Sequence, residues 1–356
     1  MGLSNISLRN FRCFTSAEVE FAPNLNLIYG ENAAGKTSLI ESIFLLGRGR
    51  SFKTANLGSA VYSGANGFQI NGQVNYLSTP MRIGLVRDGS QLQATIGGNA
   101  LATLAQLSEI LPIQLIDSQV HQLIRGGPRC RRQFLDWGVF HVEPIFFPAW
   151  RRYQRALRQR NSLLRNGKSK REVESWDGEL VSQGETLDRL RRQYMANLLP
   201  TAKSWASQAL GGLDINLEYR PGWPESQRLL ESLQYAFDRD LNSGTTLFGP
   251  HRAEMLIKVD GKVAQEWISS GQEKVLAGSL LLAQAAVYRS LTGRPCTLLL
   301  DDLAAELDPY HLTRFLERID ETHAQTHVTS IEASPLIRER ATKLFHVKQG
   351  KIDSMI

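Results

Sequence analysis

This chain contains little cysteine. Its 356 residues include only Cys13, Cys130 and Cys296, which lie far apart and form no Cys-x-x-Cys or Cys/His pattern. A disulfide framework and a structural zinc site are therefore not expected. Unpaired cysteines at this frequency are typical of a reducing compartment, so we predict a cytoplasmic protein.

Long apolar runs are also scarce. The N-terminal sequence MGLSNISLRNFRCF has no continuous apolar segment of the kind that signal peptides carry. The most apolar stretch, residues 275–291, is interrupted by Ser279, Gln284 and Arg289. A membrane-spanning helix needs about 20 mainly apolar residues. This segment therefore predicts a helix buried in a globular core.

Neither sign of charge dominates the composition. Lysine and arginine number 41 against 35 acidic residues, a net charge of +6, and 42% of the residues are hydrophobic. These values are ordinary for a folded globular protein and argue against wholesale disorder. A mild basic excess permits a nucleic-acid partner without requiring one.

Hydrophobic periodicity predicts strands towards both ends of the chain. Apolar and polar residues alternate around short turns in residues 1–23, 68–97 and 253–267, which predicts β-hairpins. Residues 24–29 and 296–300 are short apolar runs that predict buried strands.

The middle of the chain has a helical period instead. Apolar residues in segment 134–209 recur at three- and four-residue steps. Residues 147–198 predict an antiparallel helical hairpin, whose helices are joined by the polar loop 166–174. The predicted fold class is α/β, with a mixed-sheet lobe interrupted by a helical lobe. The predicted boundaries are residues 1–112 and 245–356 for the mixed-sheet lobe and residues 113–244 for the helical insertion.

A glycine-rich loop follows the strand predicted at residues 24–29. It matches the pattern GxxxxGK[ST] in full, with Gly30, Glu31, Asn32, Ala33, Ala34, Gly35, Lys36 and Thr37. Its glycines let backbone N–H groups curl around an anion, and the next helix adds its positive N-terminal end. Lys36 would reach the β- and γ-phosphates of ATP, and the Thr37 hydroxyl would ligand Mg²⁺. A glycine turn that merely caps a helix does not account for the whole pattern.

Two adjacent acids follow the strand predicted at residues 296–300. Asp301 and Asp302 stand at its carboxyl end, where ligands bind in open α/β sheets. We expect Asp301 to hold Mg²⁺ and Asp302 to polarise the attacking water. Asp302 and Lys36 are thus the candidate catalytic residues. Without the glycine-rich loop, the acidic pair would indicate a solvated turn.

A third motif opens the apolar helix. Ser270, Gly271 and Gln272 follow Ser269 at the predicted helix start, where a hydroxyl and free amides can bind a γ-phosphate. Alone, the run would indicate an ordinary helix cap. Its order relative to the other two motifs resembles the signature of ABC-type ATPases. That resemblance implies a homodimer formed on ATP binding, because the signature completes the ATP site of the second subunit. It also assigns Ala305-Glu306-Leu307-Asp308 to a loop across the dimer interface.

The segment between Gly30 and Ser270 distinguishes between families of ABC-type ATPases. Transporter ATPases are more compact here, and chromosome-maintenance or Rad-type ATPases insert a long coiled coil, whereas this chain has one modest helical hairpin. The arrangement resembles the RecF family of ABC-type, SMC-like ATPases over about residues 3 to 350. Further stretches that resemble it are Asn10-Phe11-Arg12, Arg50-Ser51-Phe52-Lys53-Thr54, Gly127-Pro128, residues 131–136 and Gly249-Pro250-His251-Arg252.

The resemblance implies a weak ATPase, used as a switch in recombinational gap repair and replication-fork maintenance. The ATP-bound dimer would bind double-stranded or gapped DNA without sequence specificity. With RecR-type and RecO-type partners it would help to load recombinase, and slow hydrolysis would reset it.

The sequence also departs from related patterns. Ser118-Gln119 stands where the family often has Pro-Glu, and Gln119 is a candidate for the Q-loop glutamine of ABC ATPases. Asp302 replaces the glutamate of most ABC ATPases, in agreement with the RecF pattern and with slow turnover. His251 and His327 are expected to serve packing or local hydrogen bonding rather than catalysis.

Basic residues are concentrated in the helical hairpin. Between Pro144 and Arg171 there are nine Lys or Arg residues and no acid. A face of this kind can track phosphates, although most charge runs are simply solvated helix faces. Arg129, Arg131 and Arg132 compete for the same role. The candidate DNA contacts in the hairpin are Arg151, Arg152, Arg155, Arg158, Lys168, Lys170 and Arg171.

Two other functions stay open from the sequence alone. The ATPase subunit of a transporter would need an apolar surface for its membrane partner, which the basic hairpin argues against. An ATPase associated with a nuclease, with Rad-type arms, would need a longer insertion and an apical metal motif.

Overall fold

The computed structural model describes residues 2–77, 79–302 and 308–355. The strands in chain order are β1 (Gly2–Phe11), β2 (Phe14–Glu20), β3 (Leu25–Tyr29), β4 (Gly67–Tyr76), β5 (Thr79–Asp88), β6 (Gln91–Ile96), β7 (Asn99–Ala100), β8 (Ile113–Ile116), β9 (Ile215–Arg220), β10 (Glu254–Val259), β11 (Lys262–Val263), β12 (Thr297–Leu300), β13 (Gln325–Ser330), β14 (Lys343–Lys348) and β15 (Lys351–Met355).

The α-helices are α1 (Lys36–Arg48), α2 (Ala105–Ile110), α3 (Gln122–Arg125), α4 (Pro128–Val142), α5 (Phe146–Arg165), α6 (Lys170–Glu174), α7 (Asp177–Ala209), α8 (Leu229–Tyr235), α9 (Phe237–Ser243), α10 (Ala264–Trp267), α11 (Ser270–Thr292), α12 (Pro309–Thr322) and α13 (Pro335–Arg338). Short 3₁₀ turns occur at Leu57–Ala60 and Pro250–Arg252.

The chain divides into two compact units. The first is Met1–Val120 with Tyr288–Ile356, and the second is His121–Val287. The sequence predicts boundaries at residues 112/113 and 244/245 instead. The first boundary differs because β8 pairs in parallel with β12. The second differs because β10 pairs with β9 and β11 in a sheet of the second unit.

Two sheets build the first unit. One is antiparallel, in the order β2-β1-β4-β5-β6-β7. The other has the order β15-β14-β3-β13-β12-β8, and its neighbouring strands are parallel except for the β14-β15 hairpin. Helix α1 contacts strands of both sheets. Its residues Leu39, Ile40 and Ile43 are fully buried in the core that the sheets share.

The predicted helical hairpin is α5 packed against α7 in the second unit. Its antiparallel direction follows from cross-helix pairs, since Arg152 contacts Glu179 whereas Arg160 contacts Asp177. The connection predicted as a plain loop contains α6. Ser169 caps that helix and accepts a hydrogen bond from Glu172 N–H, while the Glu172 carboxylate accepts from Ser169 N–H, which is a capping box.

One predicted hairpin is shorter than the sequence indicates. Strand β11 pairs with β10 only at Lys262 and Val263, and the next four residues form α10. The segment Ala-Gln-Glu-Trp contains good helix formers and no β-branched residue. Buried Ala264 then begins a helix where the alternating pattern had predicted a strand.

Candidate nucleotide-binding site and DNA-binding surface

The glycine-rich loop connects β3 to α1. Gly30 has φ 152° and Gly35 has φ 120°, both unfavourable for other residues. A Cβ atom at Gly30 would lie 2.2 Å from the carbonyl oxygen of Val347, in the neighbouring strand β14. The two glycines therefore let the loop turn tightly against the sheet before α1 begins.

Lys36 is the first residue of α1 and lies inside the loop. Its Nζ atom donates hydrogen bonds to the carbonyl oxygens of Gly30, at 2.7 Å, and Glu31, at 2.9 Å. The side chain is only 5% exposed. A buried ammonium group beside the N-terminus of a 13-residue helix makes the loop positively charged, which suits the phosphates of ATP.

Three side chains meet at the carboxyl ends of neighbouring parallel strands. Thr37 Oγ1 donates to Asp301 Oδ1 at 3.1 Å, and Thr329 Oγ1 donates to the same oxygen at 2.8 Å. Thr329 Oγ1 in turn accepts a hydrogen bond from Asp302 N–H at 2.8 Å. The structure thus brings together the loop and the acidic pair that the sequence places 264 residues apart.

The two acids have different surroundings. Burial raises the pKa of Asp301, against the hydrogen bonds from Thr329 and Thr37, which lower it. Asp302 has a left-handed backbone, with φ 57°. Its Oδ1 atom is buried and has no hydrogen-bond partner among the described residues. Asp302 therefore keeps an acceptor available for a water molecule.

The donor set also fits Mg²⁺. Hydroxyl and carboxylate oxygens are ligands that this ion prefers, and it usually keeps several waters and phosphate oxygens. Thr37 and Asp301 would supply two such ligands. In the part of the chain that the structure describes, no group of three His, Cys, Asp or Glu residues could hold a metal by itself. A metal here would depend on phosphate oxygens of the bound nucleotide.

Thr329 is a site residue that sequence reasoning missed. In this segment the sequence assigns a role only to His327, which is fully buried. The register of β13 could have revealed Thr329. Leu300 pairs in parallel with Val328, so the next residue of each strand, Asp301 and Thr329, emerge side by side.

Two stretches that resemble the RecF family converge on one buried carboxylate. Arg12 donates to both oxygens of Glu41, at 2.8 and 2.6 Å, and Ser51 Oγ donates to Glu41 Oε1. Glu41 lies on α1 and is completely buried. These contacts fix α1, and with it the loop, to the β1–β2 turn and to the segment after α1.

The signature run lies at the start of α11 in the second unit. Ser269, not Ser270, supplies the helix cap, because its Oγ accepts from Gln272 N–H at 3.3 Å and its own N–H donates to Gln272 Oε1 at 3.0 Å. Ser270 and Gly271 are exposed. Ser270 is therefore not the capping residue, and it lies exposed at the surface.

One arginine of α7 bridges two of the stretches that resemble the RecF family, residues 131–136 and 249–252. Arg191 of α7 donates to both oxygens of Asp136, at 2.8 and 3.0 Å, and to the carbonyl of Pro250 at 2.8 Å. Arg131 is buried and bidentate to Glu254, and Arg132 donates to the carbonyl of Ala253. Arg131 and Arg132 thus make contacts within the fold, which makes them weaker candidates for DNA contacts.

Both histidines have low pKa values because burial disfavours the charged ring. The pKa of His327 is lowered to about 3, and the ring packs edge-on against Phe21. The pKa of His251 is lowered to about 4, and its nitrogens pair with the Tyr153 hydroxyl and the Thr246 carbonyl. These contacts agree with the predicted packing and hydrogen-bonding roles.

Two further predictions concern loops. Gln119 lies in a turn after β8, where its N–H donates to Asp117 Oδ1 at 2.9 Å. Of the predicted interface loop, Ala305, Glu306 and Leu307 lie outside the described residues. Asp308 is described as the cap of α12 and accepts from the N–H groups of Tyr310 and His311.

The basic hairpin face is smaller than its sequence suggests. Arg160, one of the nine basic residues, is fully buried and donates to Asp177 at 2.8 Å and Asp240 at 2.7 Å. Arg152 is paired with Glu179 of α7, and Lys170 with Glu174 of α6. The predicted DNA contacts that remain exposed without an ion pair among the described residues are Arg151, Arg155, Arg158, Lys168 and Arg171.

Comparison with known proteins gives the family. The profile of the RecF/RecN/SMC N-terminal domain matches residues 2–353. The DNA replication and repair protein RecF of Vibrio cholerae serotype O1 is 37% identical over 99% of both chains. This chain belongs to the RecF family. RecF of Aliivibrio fischeri strain MJ11 is 36% identical, also over 99% of both chains.

Solved structures agree with the assignment to the RecF family. The recombination mediator protein RecF with ATP, of the RecFOR pathway, has a TM-score of 0.90 at 25% identity, covering 100% of this chain and 98% of the other. An Smc head bound to the C-terminal winged-helix domain of ScpA has a TM-score of 0.63 at 16% identity, covering 100% and 98%. The second similarity shows the fold alone. The predicted resemblance and fold class are confirmed, including kinship with ATP-binding, SMC-like ATPases of DNA replication and repair.

The prediction for the apolar helix is also confirmed. Within the described chain, α11 is the helix long and apolar enough to cross a membrane, by length and composition. However, 67% of its apolar window is buried inside the fold, as in the core helix of a globular protein.

Proposed function

We propose that this chain is an ATP-gated DNA-binding protein of recombinational gap repair and replication-fork maintenance, acting in the cytoplasm. The observation that carries the proposal is the cluster of Lys36, Thr37, Asp301 and Asp302 at one sheet edge. Family membership supports it, since relatives are named DNA replication and repair proteins and one is described with ATP.

The loop residues would bind ATP as substrate. The amides of residues 30–37 and the Lys36 ammonium would hold its phosphates, and Thr37 and Asp301 would hold Mg²⁺. When bound, the ion would neutralise charge on the phosphate oxygens. Asp302, with its buried and unpartnered oxygen, would orient and deprotonate the attacking water. Lys36 would stabilise the charge that develops on the phosphates during hydrolysis.

Dimerisation would couple the binding of ATP to the binding of DNA. Ser270, Gly271 and Gln272 of one chain would contact the γ-phosphate held by the loop of the other. The exposed position of Ser270 at a long helix N-terminus supports this role. Hydrolysis would remove the γ-phosphate and release the dimer, so that turnover acts as a switch.

DNA binding would depend mainly on phosphate contacts. The exposed arginines of α5 with Lys168 and Arg171 suit a duplex or a gapped duplex bound without sequence specificity. Arg152 and Lys170 would contribute less, because each already has a carboxylate partner. We further propose RecR-type and RecO-type partners in the loading of recombinase, since a solved relative is described as a mediator of the RecFOR pathway.

The test is binding to gapped duplex DNA with and without ATP and Mg²⁺, across a salt series. Wild-type protein is compared with Lys36→Met and with Lys351→Met, which removes an exposed lysine of β15. ATP-dependent, salt-sensitive binding that Lys36→Met alone abolishes is the expected result. Binding equal with and without ATP would reject the gating. Normal ATP binding without DNA affinity in any condition would reject DNA as the partner.

A further inference from the structure

Arg125, the last residue of α3, is held by the helix that carries the signature run. Its Nε atom donates to Glu273 Oε1 at 2.8 Å, and Glu273 lies in the first turn of α11. The Glu273 side chain is completely buried, whereas the Arg125 side chain is 53% exposed. The ion pair therefore joins a buried carboxylate of α11 to a guanidinium group at the surface.

The backbone on both sides of Arg125 is fixed as well. Arg131 Nη1 donates to the carbonyl oxygens of Ile124, at 3.2 Å, and of Gly126, at 2.6 Å. Arg131 is itself anchored, because it is bidentate to Glu254. Arg125 is thus constrained through its neighbours and through its own Nε atom. A group fixed in this way loses less conformational entropy when it binds a ligand.

The outer end of the Arg125 guanidinium remains available for a ligand. Its Nη1 and Nη2 atoms form no hydrogen bond within the part of the chain that the structure describes. Ser270 lies three residues before Glu273, on the same side of α11, and is also exposed. The free N–H groups of Arg125 therefore lie near the helix start that is proposed to meet the γ-phosphate of the other subunit. A planar guanidinium group suits phosphate oxygens.

We propose that Arg125 is a catalytic residue that acts on the ATP bound by the other subunit of the dimer. This inference rests on the proposed ATP-bound dimer. The guanidinium group would donate to the γ-phosphate oxygens and stabilise the negative charge that develops on them during hydrolysis. In this reaction the water oxygen bonds to the γ-phosphorus, the bond to the bridging oxygen breaks, and ADP and inorganic phosphate leave. The water proton passes to Asp302, and Arg125 transfers none.

Glu273 is the positioning residue for Arg125. Among the described residues, Arg125 is the one hydrogen-bond partner of this carboxylate. Glu273 Oε2 also lies 2.7 Å from Nε but accepts no hydrogen bond, since the single Nε–H group is directed at Oε1. A buried carboxylate is strongly destabilising without its partner, so the pair holds Arg125 in one orientation. That pairing uses only Nε and leaves the outer N–H groups to the phosphate.

Phosphate release, measured without DNA, tests the catalytic role. Arg125→Gln should lower the rate by about 100-fold, while the monomer binds a fluorescent ATP analogue like wild type. Arg125→Lys keeps the charge but loses the planar fork, and should restore only part of the rate. Arg129→Gln is the matched control, because Arg129 is a neighbouring exposed arginine at the start of α4. It should release phosphate at the wild-type rate.

A double variant separates the loss of the guanidinium from a folding defect. Arg125→Gln alone leaves a buried carboxylate without its partner. Arg125→Gln combined with Glu273→Gln replaces the ion pair by two neutral amides. This protein should unfold in urea like wild type and still release phosphate as slowly as Arg125→Gln. A wild-type rate in the double variant would mean that Arg125 only neutralises Glu273, and would overturn the proposal.

Mixing two inactive proteins tests whether Arg125 acts across the dimer. Lys36→Met lacks a working loop but supplies Arg125, and Arg125→Gln supplies the loop. Their mixture should release phosphate at least about tenfold faster than Arg125→Gln alone. A mixture of Lys36→Met with Ser270→Arg is the positive control. In that mixture Lys36→Met supplies the missing Ser270 to the working loop of its partner.

The two mixtures also separate this inference from the proposed function. Rescue of Ser270→Arg without rescue of Arg125→Gln would overturn the role of Arg125 and leave the proposed dimer intact. Failure of both mixtures would reject the signature contact between subunits, and the inference with it. A wild-type rate of phosphate release in Arg125→Gln itself would overturn the inference directly.

Discussion

The hydroxyl of Thr37 donates a hydrogen bond of 3.1 Å to the carboxylate of Asp301, 264 residues further along the chain. Thr329 donates to the same carboxylate oxygen from the strand that lies between β3 and β12. The contact therefore depends on three parallel strands whose carboxyl ends are level. It places both proposed Mg²⁺ ligands at one point, before any nucleotide is bound.

Asp301→Asn should remove the metal dependence of ATP binding. The amide keeps the size of the carboxylate but loses the charge that would hold the cation. ATP affinity in Mg²⁺ should fall by about tenfold or more, with little change in EDTA, because charged hydrogen bonds contribute about 1.5–3 kcal/mol. Titration with a fluorescent ATP analogue measures this, and Asp353→Asn on exposed β15 is the control. Equal Mg²⁺ dependence in wild type and Asp301→Asn would contradict the assignment.

Asp302→Asn should separate hydrolysis from binding. Asparagine tolerates the left-handed backbone at this position, where φ is 57°, so the local fold should be kept. The general base is lost, and steady-state phosphate release should fall by about 100-fold or more. ATP binding and ATP-induced dimerisation should remain. An unchanged rate of phosphate release would assign the base to another residue.

Ser270→Arg should abolish the ATP-induced dimer while leaving ATP binding by the monomer intact. The large side chain would occupy the exposed helix start that is proposed to meet the partner's γ-phosphate. Light scattering during size-exclusion chromatography measures the mass with and without ATP.

Ser269→Ala is the matched control for Ser270→Arg. It removes the helix cap and should lower the free energy of unfolding by about 1 kcal/mol, yet still dimerise. Dimerisation of Ser270→Arg with ATP would refute the role of the signature in the second subunit.

Burial of His327 should make the first unit sensitive to mild acid. The folded pKa is about 3, whereas the unfolded ring titrates near 6.5. Below pH 6.5 the unfolded chain takes up a proton that the folded chain does not. The free energy of unfolding should therefore fall as the pH drops below about 6.5, by up to about 1.4 kcal/mol per pH unit. Above about pH 6.5 the stability that His327 contributes should be fully present.

Urea unfolding at several pH values measures this dependence. His327→Leu removes the titrating ring and keeps an apolar contact with Phe21, so its pH dependence between 6.5 and 4 should be smaller. Equal slopes for wild type and His327→Leu would mean that the histidine is accessible to protons in the folded state.

Local sequence determined the elements and the motifs of this protein. Residues 30–37 specify their own loop, because glycines permit its backbone and the apolar period of α1 follows directly. The same holds for the acid pair after β12 and for the hairpin of α5 and α7. Each of these depends on residues that are neighbours in the chain, and all were predicted.

Only the tertiary structure decided which side chains share a site. Thr329 joins Asp301 through strand register, Glu41 gathers Arg12 and Ser51, and Glu273 fixes Arg125 beside the start of α11. The sequence did not show the ion-pair partners either. Arg160 and Arg152 count as basic residues in the sequence, but each forms an ion pair with a carboxylate in the structure. The physical reason is that pairing and burial arise between segments far apart in the chain, whereas sequence periodicity reports only the face on which a residue lies.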